Sequence, residues 1–138
     1  MKLQDIFDEC TVHLMGMDGP SLDQHGDACV YRGKDEDCEF IFNGQKCAVG
    51  LFIADEQYDV DLEGQGISGG QAVADAVAAS WGQDDLTVAQ IGLLADLQDA
   101  HDRRRARGRV WSNYIIASLD RIATKHHLRF DPVTAAAD

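Results

Sequence analysis

The sequence holds only two prolines, no apolar run longer than the eight residues from Cys47 to Ala54, and no lysine or arginine between Ile67 and Asp102. Each scarcity excludes something. An apolar run of eight falls far short of the roughly 20 residues that a membrane-spanning helix needs. The first residues, Met1-Lys-Leu-Gln-Asp-Ile-Phe-Asp-Glu, have neither a basic start nor a continuous apolar stretch, so they do not read as a signal peptide. Low proline and a 45% apolar share argue against a disordered chain. No G-x-x-x-x-G-K-[ST] or G-x-G-x-x-G pattern follows a predicted strand, which removes the usual nucleotide-binding loops. Gly66-Ile-Ser-Gly-Gly70 reads instead as the lead-in to a helix. There are no internal repeats and no low-complexity segments.

What is present suits a packed domain. At 138 residues the chain can bury a core without disulfide or metal staples. We expect one globular domain over residues 1–131 and a frayed tail over 132–138. The formal net charge of -12 is unevenly placed. Met1 to Gly66 carries 15 acids and 4 bases, Ile67 to Asp102 carries 6 acids and no base, and Arg103 to Asp138 carries 3 acids and 8 bases. Nucleic-acid binding depends on cationic side chains displacing counterions, so a surface of this sign disfavours it. The cluster Arg103-Arg-Arg-Ala-Arg-Gly-Arg109 is read as a solvated helix end, or as a dock for an acidic surface.

Spacing sets the expected elements. Leu3, Ile6, Phe7, Cys10, Leu14 and Met17 recur at three and four residues, which predicts an amphipathic helix closed by Gly19-Pro20. Ser68 and Gln71 form a capping-box pattern ahead of Val73, Val77 and Trp81, with Gly82 as the stop. A third helix is expected from Thr87 to the arginine cluster, with Asp84 and Asp85 at its positive end. A fourth runs from Val110 to His127, with Trp111, Ile115, Leu119, Ile122 and His126 on one face. Trp81 and Trp111 should both be largely buried. Between the first two helices, short apolar pieces alternate with turn residues around Asn43-Gly44, predicting a two- or three-stranded antiparallel β-ribbon from about Cys29 to Val49. The expected fold class is therefore α+β.

Three constellations could carry chemistry. His25, Cys29, Cys38 and Cys47 could supply four zinc ligands, but they lack the C-x-x-C knuckle that brings two sulfurs to one metal. Buried thiols packing the core are the simpler reading. Cys47 with His101, oriented by Asp99 or Asp102, has the residue types of a thiol enzyme. Against this, His101 shares a helix face with Leu86, Leu93, Leu94 and Leu97, where a core histidine is the commoner outcome. Asp59-Val-Asp-Leu-Glu-Gly64 opens like a calcium loop, yet Gly70 stands where the bidentate glutamate belongs. A solvated acidic loop follows, with Asp55, Glu56, Asp59, Asp61 and Glu63 as candidate binding residues.

Taken together, Cys29-Val-Tyr-Arg-Gly33, Lys46-Cys-Ala-Val-Gly50, the stretch Asp55-Glu-Gln-Tyr-Asp59 to Glu63-Gly64, Leu97-Gln-Asp-Ala-His-Asp102 and Trp111 resemble a family of small phage and prophage proteins over roughly residues 3 to 130. The sequence departs from that pattern in the insertion Cys38-Glu-Phe-Ile-Phe-Asn-Gly44 and in Phe52, where a small residue or cysteine is usual. Both departures weigh against a zinc or redox pair at those positions. The resemblance implies a viral accessory protein made in the bacterial cytoplasm, without supplying an activity. The sequence-based expectation is an acidic, non-enzymatic binder with no cofactor, engaging a basic surface of a host protein such as a nuclease or defence complex. A small Cys-dependent hydrolase or transferase is the alternative, and a zinc-stabilised binding module the third.

Overall fold

The computed structural model describes residues 1–17, 46–63, 65–68, 71–102 and 108–132. Four helices carry the architecture: α1 (Leu3–Met15), α2 (Gln71–Ser80), α3 (Val88–Asp102) and α4 (Gly108–Lys125). Three single 3₁₀ turns, Gly50–Phe52, Asp55–Gln57 and Val60–Leu62, link the approach to α2. The core is one continuous cluster. Ile6, Phe7, Cys10 and Leu14 of α1 meet Leu93, Leu94 and Leu97 of α3 and Trp111, Ile115 and Leu119 of α4, all fully covered.

The expected α+β class is corrected by this all-helical architecture. Among the described residues there is no sheet. The end of the expected ribbon turns into the first 3₁₀ turn, with Leu51 N–H donating to Cys47 C=O at 3.1 Å and Phe52 N–H to Val49 C=O at 3.0 Å. Cys47, Ala48 and Val49 are buried in succession. A strand with one wet face buries every second residue, so this run suits a core-embedded turn instead. The remainder of the predicted ribbon, Cys29 to Phe42 with Asn43-Gly44, lies outside the described residues, as do most of the arginine cluster and residues 133–138.

Helix ends follow local chemistry. Thr87 Oγ1 accepts from Gln90 N–H at 3.1 Å while Gln90 Oε1 accepts from Thr87 N–H at 2.9 Å, a reciprocal capping box opening α3. The pattern expected at Ser68 behaves differently, because Gln71 Nε2 donates forward to Asp75 Oδ1 at 2.8 Å. Gly82 closes α2 at φ 69°, with Gln83 N–H reaching Ala78 C=O at 2.8 Å and Gly82 N–H reaching Ala79 C=O at 3.1 Å. His127 closes α4 with the same bond pattern, from Leu128 N–H to Ala123 C=O at 2.8 Å and from His127 N–H to Thr124 C=O at 3.3 Å. Its φ is 57°, a left-handed conformation that a side chain resists.

Trp111 is fully buried as expected, whereas Trp81 is only half-covered, set edge-on to Phe52 at 5.4 Å. After α4 the chain returns to α1. Arg129 N–H donates to Gln4 Oε1 and Gln4 Nε2 donates to Arg129 C=O, each at 3.0 Å, beside an edge-on Phe7–Phe130 pair.

Asp96 of α3 takes Lys125 Nζ at 2.9 Å and His126 Nε2 at 2.6 Å on the same carboxylate oxygen. Burial raises this carboxyl, but the bonds from His126 and Lys125 outweigh it and hold Asp96 below its ordinary 3.8. A depressed carboxylate stabilises the fold above its unfolded pKa and ceases to do so as pH falls through the folded value. Asp96→Asn should therefore be less stable than wild type at neutral pH, and the gap should close as pH drops below about 4; urea midpoints against pH measure it. His127→Gly should raise stability by about 1 kcal/mol, because glycine adopts the left-handed cap without strain; a lower midpoint would contradict the cap assignment.

Candidate functional site

The segment Lys46–Ile53 lies against the C-terminal half of α3, and the polar groups there form one chain of bonds. Val49 N–H donates to Gln98 Oε1 at 2.9 Å, Gln98 Nε2 donates to Asp102 Oδ1 at 2.7 Å, and His101 Nδ1 donates to the same oxygen at 2.8 Å. Gln98 and Asp102 are one helical turn apart, which places both on the side of α3 that receives the segment. His101 is fully buried, and its ring stands edge-on to Trp111 with centroids 6.1 Å apart. The Trp111 indole N–H in turn donates to Leu14 C=O at 3.1 Å, a carbonyl at the end of α1 that also accepts from Met17 N–H at 3.3 Å.

The structure thus brings Cys47, His101 and Asp102 into one neighbourhood, but their states differ from those of a thiol enzyme. Cys47 is fully buried, and its Sγ accepts a hydrogen bond from Gly50 N–H at 3.4 Å rather than engaging His101. Burial pushes its thiol well above the ordinary range; the Gly50 amide opposes this, the nearby carboxylates of Asp102 and Glu63 add to it, and the Val49 amide opposes it least. A nucleophilic cysteine needs the opposite environment, partly exposed and electropositive. Cys10, equally buried, is also shifted upward by desolvation. Of the two candidate orienting carboxylates, Asp102 bonds His101, and Asp99 lines a separate cleft of about 170 Å³ between α3 and α4, with Asp96, Tyr114 and Arg121.

His13, which sequence reasoning passed over, sits beside this cluster. Its Nε2 bonds the Lys46 carbonyl, holding the start of the segment to α1. Burial favours its neutral ring, as do the neighbouring His101 and Lys46, while the Lys46 carbonyl bond opposes them. The only sequence signal for this contact is the partly apolar position of His13 on α1.

The metal reading rests on His25, Cys29 and Cys38, which lie outside the described residues; the fourth member, Cys47, is sealed as above. Among the described residues no group of three or more His, Cys, Asp or Glu side chains could hold a metal ion. The acidic candidates fare differently. Asp55, Glu56, Asp59 and Asp61 are exposed on the second and third 3₁₀ turns, whereas Glu63 is half-buried and accepts a 2.6 Å hydrogen bond from Tyr58 Oη. The ledge they form is anchored from within. Ala54 N–H donates to Ser80 Oγ at 2.8 Å, and Ser80 Oγ donates to Ala76 C=O at 2.7 Å on α2. Asp59 Oδ1 accepts from Asp61 N–H at 2.9 Å, shaping the third turn as a local side-chain-to-backbone turn.

Comparison with protein-family models, with curated proteins and with solved structures finds no match to this chain.

The sealed thiols make a direct prediction. At pH 8, alkylation of Cys47 and Cys10 in the native protein should run at least about tenfold slower than that of an unstructured thiol and reach the free-thiol rate only in denaturant. Peptide-level mass spectrometry follows each site separately. Fast native labelling of Cys47 would restore the thiol-enzyme reading.

Proposed function

We propose that this chain is a non-enzymatic binding protein whose acidic ledge engages a basic surface on another protein. The observation that supports it is the division of labour in residues 54–63. The backbone there is tied inward through Ala54 to Ser80, while the carboxylates of Asp55, Glu56, Asp59 and Asp61 stand in solvent. Ordered, outward-facing charges of one sign raise association rates with partners of opposite sign. Nucleic-acid-binding enzymes carry such basic surfaces, and occupying one would block its substrate. Joined to the resemblance to small phage and prophage proteins, this describes an accessory protein of the bacterial cytoplasm that inhibits a host nuclease or defence complex. Among the described residues no helix is long and apolar enough to cross a membrane.

The test uses a variant with Asp55, Glu56 and Asp61 replaced by Lys, leaving Glu63 in place because it bonds Tyr58 and Asp59 because it holds the Asp61 amide. Exposed charges contribute little to stability, so circular dichroism and the melting midpoint should match wild type. A partner captured from bacterial lysate by the wild type should associate with the variant at least about tenfold more slowly at 0.1 M salt. The difference should shrink at 1 M salt, where the screening length falls from about 10 Å to about 3 Å. Equal association of both proteins at every salt concentration would overturn the proposal.

A further inference from the structure

An open groove of about 560 Å³ runs between α1 and the first 3₁₀ turn, lined by Asp8, Glu9, Val12, His13 and Leu51. Its floor is apolar. Val12 is 43% exposed, an unusual placing for a valine on a helix whose other large apolar side chains face the core, and Leu51 is half-buried opposite it. Its rim is acidic. Asp8 and Glu9 are both exposed and sit one helical turn before Val12 and His13, so their carboxylates overhang the end of the apolar strip. Such a surface has a specific complement, a side chain that is apolar along its stem and cationic at its head.

We propose that this groove is the anchoring site for an arginine side chain of the basic partner, with an apolar neighbour of that arginine seated beside it. The inference rests on the acidic-binder reading above and adds to it the place and chemistry of the anchor. The arginine stem would cover Val12 and Leu51 while its guanidinium meets Asp8 and Glu9. Two adjacent carboxylates favour arginine over lysine, because the planar guanidinium presents several N–H donors in a fixed fork and is less strongly hydrated. One Asp8 oxygen already accepts from Gln4 Nε2 at 2.8 Å, which orients the carboxylate and leaves its other oxygen toward a ligand. The His13 ring is held at the Lys46 carbonyl, and burial favours its neutral form, so it opposes an incoming cation weakly. A groove of this volume has room for more than one side chain, which fits an arginine with a leucine-sized companion at helical spacing. The ledge begins four residues beyond Leu51, so the field that draws the partner in also leads to this anchor.

The experiment measures binding of a fluorescein-labelled helical peptide of 14 residues, with arginines and leucines on one face, by anisotropy at 0.1 M salt. Two charge-matched variants are compared, Asp8→Lys with Glu9→Lys at the groove and Asp55→Lys with Glu56→Lys on the ledge. A third, Val12→Thr, changes the floor without changing charge. The groove pair should weaken binding at least about tenfold and the ledge pair less than about threefold. Val12→Thr should weaken it about threefold, and a lysine-for-arginine peptide should bind wild type several-fold less tightly. Equal weakening by the two charge pairs would overturn the groove while leaving the broader acidic-binder reading standing. Absence of wild-type binding at millimolar peptide would overturn the groove as well, and the lysate capture decides the broader reading independently. Should the groove pair disturb the fold by circular dichroism, Val12→Thr decides, and an unchanged affinity there is a negative result.

Discussion

Trp111 is the contact on which the rest of the arrangement depends. Its ring belongs to α4, its indole N–H is spent on the Leu14 carbonyl of α1, and it packs at right angles to the His101 ring of α3. One side chain therefore fixes three helices relative to one another. An indole supplies a large apolar area and a polar handle together, and here the handle, costly to bury unpaired, is satisfied by the Leu14 carbonyl. The neighbouring Tyr114 extends the same seam, its hydroxyl donating to Ala100 C=O at 2.6 Å. Because His101 is pinned between Trp111 and Asp102, the C-terminal end of α3 is held in register, and Asp102 and Gln98 are thereby aimed at the Lys46–Ile53 segment. The placing of that segment, and of everything that hangs from it, follows from the packing around Trp111.

The same packing gives Cys47 a structural setting. Bringing Cys47 near Asp102 and Glu63 in a dry interior does the opposite of what a nucleophile requires, since each of those influences disfavours the thiolate. A buried histidine and cysteine in one neighbourhood are thus compatible with a purely structural role, with the His101–Asp102–Gln98 chain serving to satisfy the Val49 amide. Polar groups brought into a core are stabilising only when their partners are in place, and this chain supplies them in sequence from backbone to carboxylate.

Much of this was legible in the residues. The three- and four-residue spacing of Leu3 to Leu14 and of Trp111 to Ile122 locates α1 and α4 within a few residues, because a helix must hide its apolar stripe. His101 was legible as a core histidine from the leucines that share its face. The ribbon failed for a physical reason at its Lys46–Val49 end. Asn-Gly and short apolar pieces are local signals, whereas Cys47 to Val49 are drawn into the core by α1 and α3, and burial of successive residues overrides alternation. The capping box was misplaced for a related reason. Ser68-to-Gln71 and Thr87-to-Gln90 match the same pattern, and only tertiary neighbours, Gln83 and the Met1 carbonyl around Gln90, single out the second. The Gln98–Val49 and His13–Lys46 bonds span 49 and 33 residues, a separation at which no sequence spacing carries information.

The acidic ledge and the α1 groove share a consequence of how residues 46–63 are held. Polar backbone groups of that segment are satisfied from the interior, by Gln98, by Ser80 and by short turns of the segment on itself. The carboxylates of Asp55, Glu56 and Asp61 then stand exposed, while Asp59 holds the Asp61 amide and Glu63 is drawn back to Tyr58. A surface anchored by its backbone can carry many like charges, because their mutual repulsion in water is screened and small beside the burial that fixes the turn. A backbone already ordered loses little further freedom when a partner arrives, so less of the attraction is spent on ordering it. That asymmetry, a backbone tied inward beneath exposed carboxylates, is what allows this segment to carry acid while the core is kept by α1, α3 and α4.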